Sequence, residues 1–283
     1  MQVSEEEPTL CVLRSSPNTN TWEEFAYARS PVSLAGTRFF RYPICYSSQL
    51  IQATCPLVQI DSGRITPVAV LLHLPELWMV SMIAIIDYGM GNLRSVSKAF
   101  EAVGHQAVVT RDATVIGNAS HVVLPGVGAF GDCMANVERY GLAEPICTAI
   151  QSGKPFLGIC LGLQLLFEES EEFGTHKGLG IIPGTVRRFV ADSKLKVPHM
   201  GWNNVTLERP CPLFEGIADR AYWYFVHSFY VDPSDNTVAA TTTDYGATFV
   251  SSIWRDNVVA CQFHPEKSQA VGLRLIKNFG SWT

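Results

Sequence analysis

"MIAIIDYGMGNLRSVSKAFEAVG", residues 82 to 104, divides into three physically different pieces. MIAII is a short apolar, partly β-branched run, the right length for a buried strand and too short for a core helix. DYGMGN places Gly89 and Gly91 where a tight turn is needed. LRSVSKAFEAV then brings Val96, Ala99, Phe100 and Val103 onto one face at helical spacing, and Gly104 follows as a C-terminal stop. The stretch predicts a β-loop-α unit.

The unit recurs downstream. HVVLPGVG (121–128) reads as a buried strand entering a glycine loop, PFLGIC (155–160) as a strand entering a helix, and VVACQFHPE (258–266) as a strand entering a loop. AVGLRLIKNF (270–279) closes the chain as a helix. This alternation predicts an α/β fold, with a largely parallel central sheet flanked by helices and ligands gathered beyond the carboxyl ends of its strands. Between residues 184 and 254, runs such as WYFVHSFYV and ATFVSSIW predict some antiparallel strands in the C-terminal half.

Upstream of Met82 the character differs. Residues 1–81 contain no lysine, hold no sustained period of 3.6 or 2, and are broken by Pro17, Pro31, Pro43, Pro56, Pro67 and Pro75. The expected organisation is a poorly structured extension of unknown role over 1–81 and one domain over 82–283. PVAVLLHLPELWMVSMIAII (67–86) is about long enough to span a bilayer, but His73, Pro75 and Glu76 interrupt it and its last residues serve better as a strand. A membrane association is therefore not expected. Glu5, Glu6 and Glu7 stand where a secretory signal would be basic, which points to a cytoplasmic protein.

The formal net charge of −5, with no basic run, excludes the electrostatic footprint of nucleic-acid binding. The eight cysteines are scattered, without a C-x-x-C pair or zinc-like spacing, and read as reduced thiols with no metal site. Gly89-x-Gly91 is followed by Arg94 where a dinucleotide fingerprint needs its third glycine, so no nicotinamide cofactor is expected.

Three constellations carry chemistry. Gly158-Ile159-Cys160-Leu161-Gly162 has the form of a nucleophile elbow, in which small residues two before and two after let the backbone close beneath an exposed side chain. The next residues, LGLQLLFEES, are expected to be a helix whose start favours thiolate. A structural cysteine between packing glycines is the other reading of that motif alone. His264 and Glu266 are two apart, so an extended segment points both the same way and the carboxylate can hold the imidazole. Gly126, Gly128 and Gly131 after a strand leave backbone N–H groups free to face a developing oxyanion. Glu168, Glu169, Glu171 and Glu172 crowd the end of the expected helix, where its dipole disfavours them; a substrate ammonium would explain one.

Together GICLGLQLLFEESEE, PGVGAFGD and FHPEKS resemble the class I glutamine amidotransferases, and the resemblance covers about 82 to 283. It implies that Cys160 attacks the side-chain amide of glutamine, that His264 is general base and acid, and that Glu266 orients it. It also implies an oxyanion loop at Gly126, Val127 and Gly128, which flips a peptide before presenting its donor. Gln164 and Glu172, with the backbone of Ser228 and Phe229, would hold the amino-acid moiety of glutamine. The implied product, ammonia, passes to a separate (β/α)8 cyclase subunit in a heterodimer, with Asn92, His199 and Trp202 near that interface and no cofactor. A glutaminase serving another synthase shares the three catalytic residues but matches the PGVGAFGD and VPHMGWN loops poorly. A non-enzymatic module using the cysteine for redox sensing has no need of FHPE.

Overall fold

The computed structural model describes residues 54–61, 64–71, 82–190 and 196–283. The chain divides near residue 80. Before that point β1 (Thr54–Asp61) and β2 (Arg64–Leu71) pair antiparallel, Thr54 facing Leu71 and Asp61 facing Arg64. The sequence reading assigned no element to this stretch. A two-stranded ribbon has only edges, where the missing N–H groups of Pro56 and Pro67 are tolerated. The suspected span 67–86 is strand at both described ends, while 72–81 lies outside the described residues. Among the described residues no helix is long and apolar enough to cross a membrane.

The second unit runs β3 (Met82–Ile86), α1 (Leu93–Ala102), β4 (Gln106–Thr110), α2 (Ala113–Asn118), β5 (His121–Gly126), α3 (Phe130–Arg139), α4 (Ala143–Gln151), β6 (Phe156–Cys160), α5 (Leu161–Gln164), β7 (Phe167–Ser170), β8 (His176–Lys177) and β9 (Ile182–Arg188). It continues with β10 (His199–Asn204), β11 (Thr206–Leu207), β12 (Tyr222–His227), β13 (Phe229–Pro233), β14 (Ala239–Asp244), β15 (Thr248–Arg255), β16 (Val258–Cys261) and α6 (Gln269–Gly280). The main sheet has the order β4-β3-β5-β6-β16-β15-β13-β9-β7-β8. Its first five strands are mutually parallel. From β16 onward β15, β13 and β9 join antiparallel, β7 is parallel to β9, and β14 and β11 extend from β15. β10 and β12 form a separate antiparallel ribbon.

The inner parallel strands β3, β5, β6 and β16 are almost wholly apolar because helices cover both faces. Successive residues of β3 alternate between them: Ile83 and Ile85 face the core containing Val96 and Phe100 of α1 and Phe279 of α6, and Ala84 and Ile86 face the core containing Phe130 and Ile146. Edge strand β4 is instead mostly exposed.

One expected element is corrected. The helix after Cys160 ends at Gln164, and residues 167–170 leave it to become β7. Pairing with β9, with Phe167 and Ser170 buried, wins over the helical periodicity that consecutive leucines also satisfy. The glutamates therefore do not crowd a helix end. Glu168 accepts from the Gly184 N–H at 3.0 Å, and Glu169 from the Thr185 hydroxyl at 3.3 Å.

Candidate active site

Cys160 is the last residue of β6 and the residue before α5, with φ +56° and ψ −111°. A β-carbon-bearing residue is rarely held in that region unless its neighbours force it. Here they do. A Cβ on Gly162 would run into the Leu124 carbonyl, and one on Gly158 would lie 2.8 Å from Ala260 Cβ and 2.9 Å from the Gly162 carbonyl oxygen. The two glycines let β6 and α5 close tightly on β5 and β16, and that closure forces the turn at Cys160, which stays buried at the strand end rather than exposed as the motif suggested.

The loop after β16 carries the base. His264 Nδ1 is 2.9 Å from Glu266 Oε1, with the imidazole and the carboxylate both buried. His264 Nε2 and Glu266 Oε2 have no hydrogen-bond partner. Burial opposes charge on this imidazole, but its interactions with the Cys160 side chain and the Glu266 carboxylate outweigh it and raise its pKa from 6.5 to about 10. The ring thus lies within electrostatic reach of Cys160 and has its free nitrogen in hand.

Gly126 pairs in register with Cys160, so the glycine loop begins beside that residue. Gly128 has φ +105°, and the Val127 carbonyl accepts from the Cys133 thiol at 3.4 Å. Gln164 is buried and its amide N–H₂ donates to the Phe229 carbonyl at 3.1 Å and to Gln262 Oε1 at 2.9 Å. Glu172 Oε2 accepts from the Phe130 N–H at 2.7 Å, which ties it to the start of α3 just after the glycine loop. The Ser228 carbonyl accepts from the Phe189 N–H at 3.1 Å.

Of the three residues expected at an interface, Trp202 is exposed and Asn92 half-buried, but His199 is buried. Its ring stacks on Tyr245 at 3.9 Å and on Phe225 at 4.7 Å. It also belongs to a hydrogen-bonded chain. His227 Nδ1 lies 2.7 Å from the Phe229 carbonyl, which can only accept; Nδ1 therefore carries the proton and Nε2 accepts from His199 Nδ1 at 2.9 Å. Asn203 Nδ2 meets His199 Nε2 at 3.3 Å.

Sequence reasoning missed three groups. Gln262, fully buried, accepts from Gln164 and donates to the Cys160 sulfur at 3.7 Å. Its place directly after β16 and two residues before His264 is the one signal the sequence offered. His227 and Tyr88 gave none, because their roles depend on partners brought in by the fold. Among the described residues no cluster of three His, Cys, Asp or Glu side chains could hold a metal.

A model of the family "Glutamine amidotransferase class-I" matches residues 84–281. The imidazole glycerol phosphate synthase subunit HisH of Syntrophotalea carbinolica is 61% identical over 204 residues, covering 70% of this chain and 99% of the relative. The proteins of the same name from Geobacter metallireducens and Aquifex aeolicus are 58% and 56% identical, over 71% and 69% of this chain and 98% and 94% of theirs. Among solved structures, PurLQS from Thermotoga maritima aligns with a TM-score of 0.55 at 20% identity, over 71% of this chain and 96% of that one. A structure described as glutamine amidotransferase aligns at 0.56 and 17% identity, over 70% and 98%. At those identities the structural likeness concerns the fold.

Proposed function

Because the chain belongs to the class I glutamine amidotransferase family, we propose that it is the glutaminase subunit of an imidazole glycerol phosphate synthase, acting in histidine biosynthesis. The observation that carries this reading is near-complete coverage of relatives bearing that name at more than half identity. In this reading the chain works in the cytoplasm as a heterodimer with the separate cyclase subunit of the synthase.

The geometry supports a thioester route. Cys160 sulfur, its proton held by His264, adds to the side-chain carbonyl carbon of glutamine, and the carbonyl electron pair moves onto oxygen. As the oxygen pair returns, the C–N bond breaks and nitrogen takes the His264 proton, leaving as ammonia. Water then gives a proton to His264 and adds to the γ-glutamyl thioester; the C–S bond breaks, releasing glutamate and restoring the sulfur. Glu266 keeps the ring oriented and favours its charged form through both halves. Gly126, Val127 and Gly128 would supply backbone N–H to the oxyanion, and Gln164 and Glu172, with the backbone at Ser228 and Phe229, would hold the amino-acid end of glutamine.

In the structure the Glu172 carboxylate is occupied by the Phe130 N–H and the Gln164 amide by Phe229 and Gln262. Each keeps a further oxygen for substrate. Asn92 and Trp202 would face the cyclase, whereas buried His199 would act only through the strand that carries Trp202.

The test is glutamate release from glutamine by the purified chain, alone and with the cyclase subunit plus its nucleotide ligand. Turnover stimulated by partner and ligand is expected, and Cys160→Ala should abolish it. Absence of turnover in every condition would reject the reading.

A further inference from the structure

Tyr88 lies two residues beyond β3, and its side chain is fully buried in the core that also contains Leu124, Phe130, Cys133 and Leu161. Its hydroxyl has no hydrogen-bond partner. A buried hydroxyl left unpaired costs about 1–3 kcal/mol, and phenylalanine would fill the same space without that cost. Such a group calls for a reason other than packing.

Its position supplies one. A Cβ on Gly126 would be 2.6 Å from the Tyr88 oxygen, so the hydroxyl rests directly against this glycine. Gly126 is the last residue of β5, pairs with Cys160, and opens the glycine loop. Only a residue without a side chain fits there, because the same Cβ would also be 2.8 Å from Leu161 Cβ and 2.9 Å from the Gly162 nitrogen. The hydroxyl is thus held at the carboxyl ends of neighbouring parallel strands, against the glycine that pairs with Cys160. Burial is the leading cause that raises its pKa, and the neighbouring Cys133 and Cys160 side chains add to the rise. Tyr88 therefore remains a neutral O–H, able to donate a hydrogen bond but not to ionise.

We propose that Tyr88 is a catalytic hydrogen-bond donor, its hydroxyl bonding the amide oxygen of glutamine as Cys160 adds to the carbonyl carbon. The inference rests on the glutaminase reading above. The acceptor absent from the resting protein arrives with the reaction: as the C–S bond forms, the carbonyl π pair becomes a lone pair on oxygen, and the Tyr88 O–H turns to it without breaking. This donor is independent of the backbone N–H groups of the loop.

The experiment is Tyr88→Phe in the full chain, assayed with the cyclase subunit and its ligand beside the unaltered protein. The expected result is a fall in kcat of about tenfold to a hundredfold, within the range of losing one oxyanion donor or somewhat below it. KM should stay within about twofold, because the bond strengthens only as charge develops. Two further readouts separate this from a structural role. The thermal midpoint should be unchanged or raised, since the variant removes an unsatisfied hydroxyl, and iodoacetamide alkylation of Cys160, followed by peptide mapping, should keep its rate because that reaction forms no oxyanion. Turnover within twofold of the unaltered protein would overturn the inference, as would a loss of turnover matched by a lower midpoint or slower alkylation. If the unaltered protein itself fails to hydrolyse glutamine, the glutaminase reading fails instead.

Discussion

At Glu266 both carboxylate oxygens are enclosed, and His264 is the partner of only one. The pair works through charge as well as orientation, so Glu266→Gln should keep the ring in place yet lower glutaminase kcat by about a hundredfold or more, with KM little changed; steady-state kinetics with the cyclase present checks this. The raised pKa of His264 also has a thermodynamic sign. A base titrating near 6.5 when unfolded and about 10 when folded stabilises the fold fully below pH 6.5, and the contribution is lost as pH climbs through 10. Midpoints measured from pH 7 to 10 should fall, and His264→Gln should flatten that limb. His227 has the opposite sign. Burial is the leading cause that lowers its pKa to about 3, so the unfolded chain takes up a proton near 6.5 that the folded chain refuses. Stability should fall as the pH drops from 6.5 toward 3, by at most about 1.4 kcal/mol per pH unit from this group. His227→Gln should flatten the loss between pH 6.5 and 5, read by urea titration.

The elements show where local sequence decides and where it does not. β3, β5, β6 and β16 were legible as short apolar runs because a strand buried on both faces has no polar positions to hide it. α1 was legible because Val96, Ala99 and Phe100 recur at one period only. The segment after Cys160 misled, since leucine at 161, 163, 165 and 166 satisfies several periods and the choice of β7 is made by β9, well downstream in sequence. The same logic governs the site. His264 and Glu266 could be paired on paper because they are two residues apart, although a 3-10 turn over Pro265–Lys267 rather than the expected extended segment brings them together, whereas Gln262 acquires its meaning from Gln164, 98 positions earlier. The elbow itself yields a prediction: Gly162→Ala drives a methyl into the Leu124 carbonyl and should cost about 1–3 kcal/mol of stability, with glutaminase activity falling further because β6 and α5 must part around Cys160. Urea unfolding and kinetics on the same sample separate the two effects.

On the scale of the molecule, residues 82–283 hold both core layers and every residue of the proposed site. A chain trimmed to that range should keep the thermal midpoint of its main transition and its partner-stimulated turnover. The ribbon of β10 and β12 exposes Met200, Trp202 and Tyr222 on one stretch of surface, large apolar side chains that a partner would cover. Trp202→Ala should weaken cyclase binding about tenfold or more by titration calorimetry and leave the midpoint unaltered. That same ribbon carries His199 opposite His227, and their hydrogen-bonded chain has a fixed polarity, because the Phe229 carbonyl at one end can never donate. Both imidazoles are therefore locked as Nδ1–H tautomers, which makes them a natural isotope reporter. In a ¹⁵N spectrum each ring should show one protonated and one bare nitrogen, with slowly exchanging protons, and a partner pressing on Trp202 would be heard as a shift of those lines, carried along the strand that holds both His199 and Trp202.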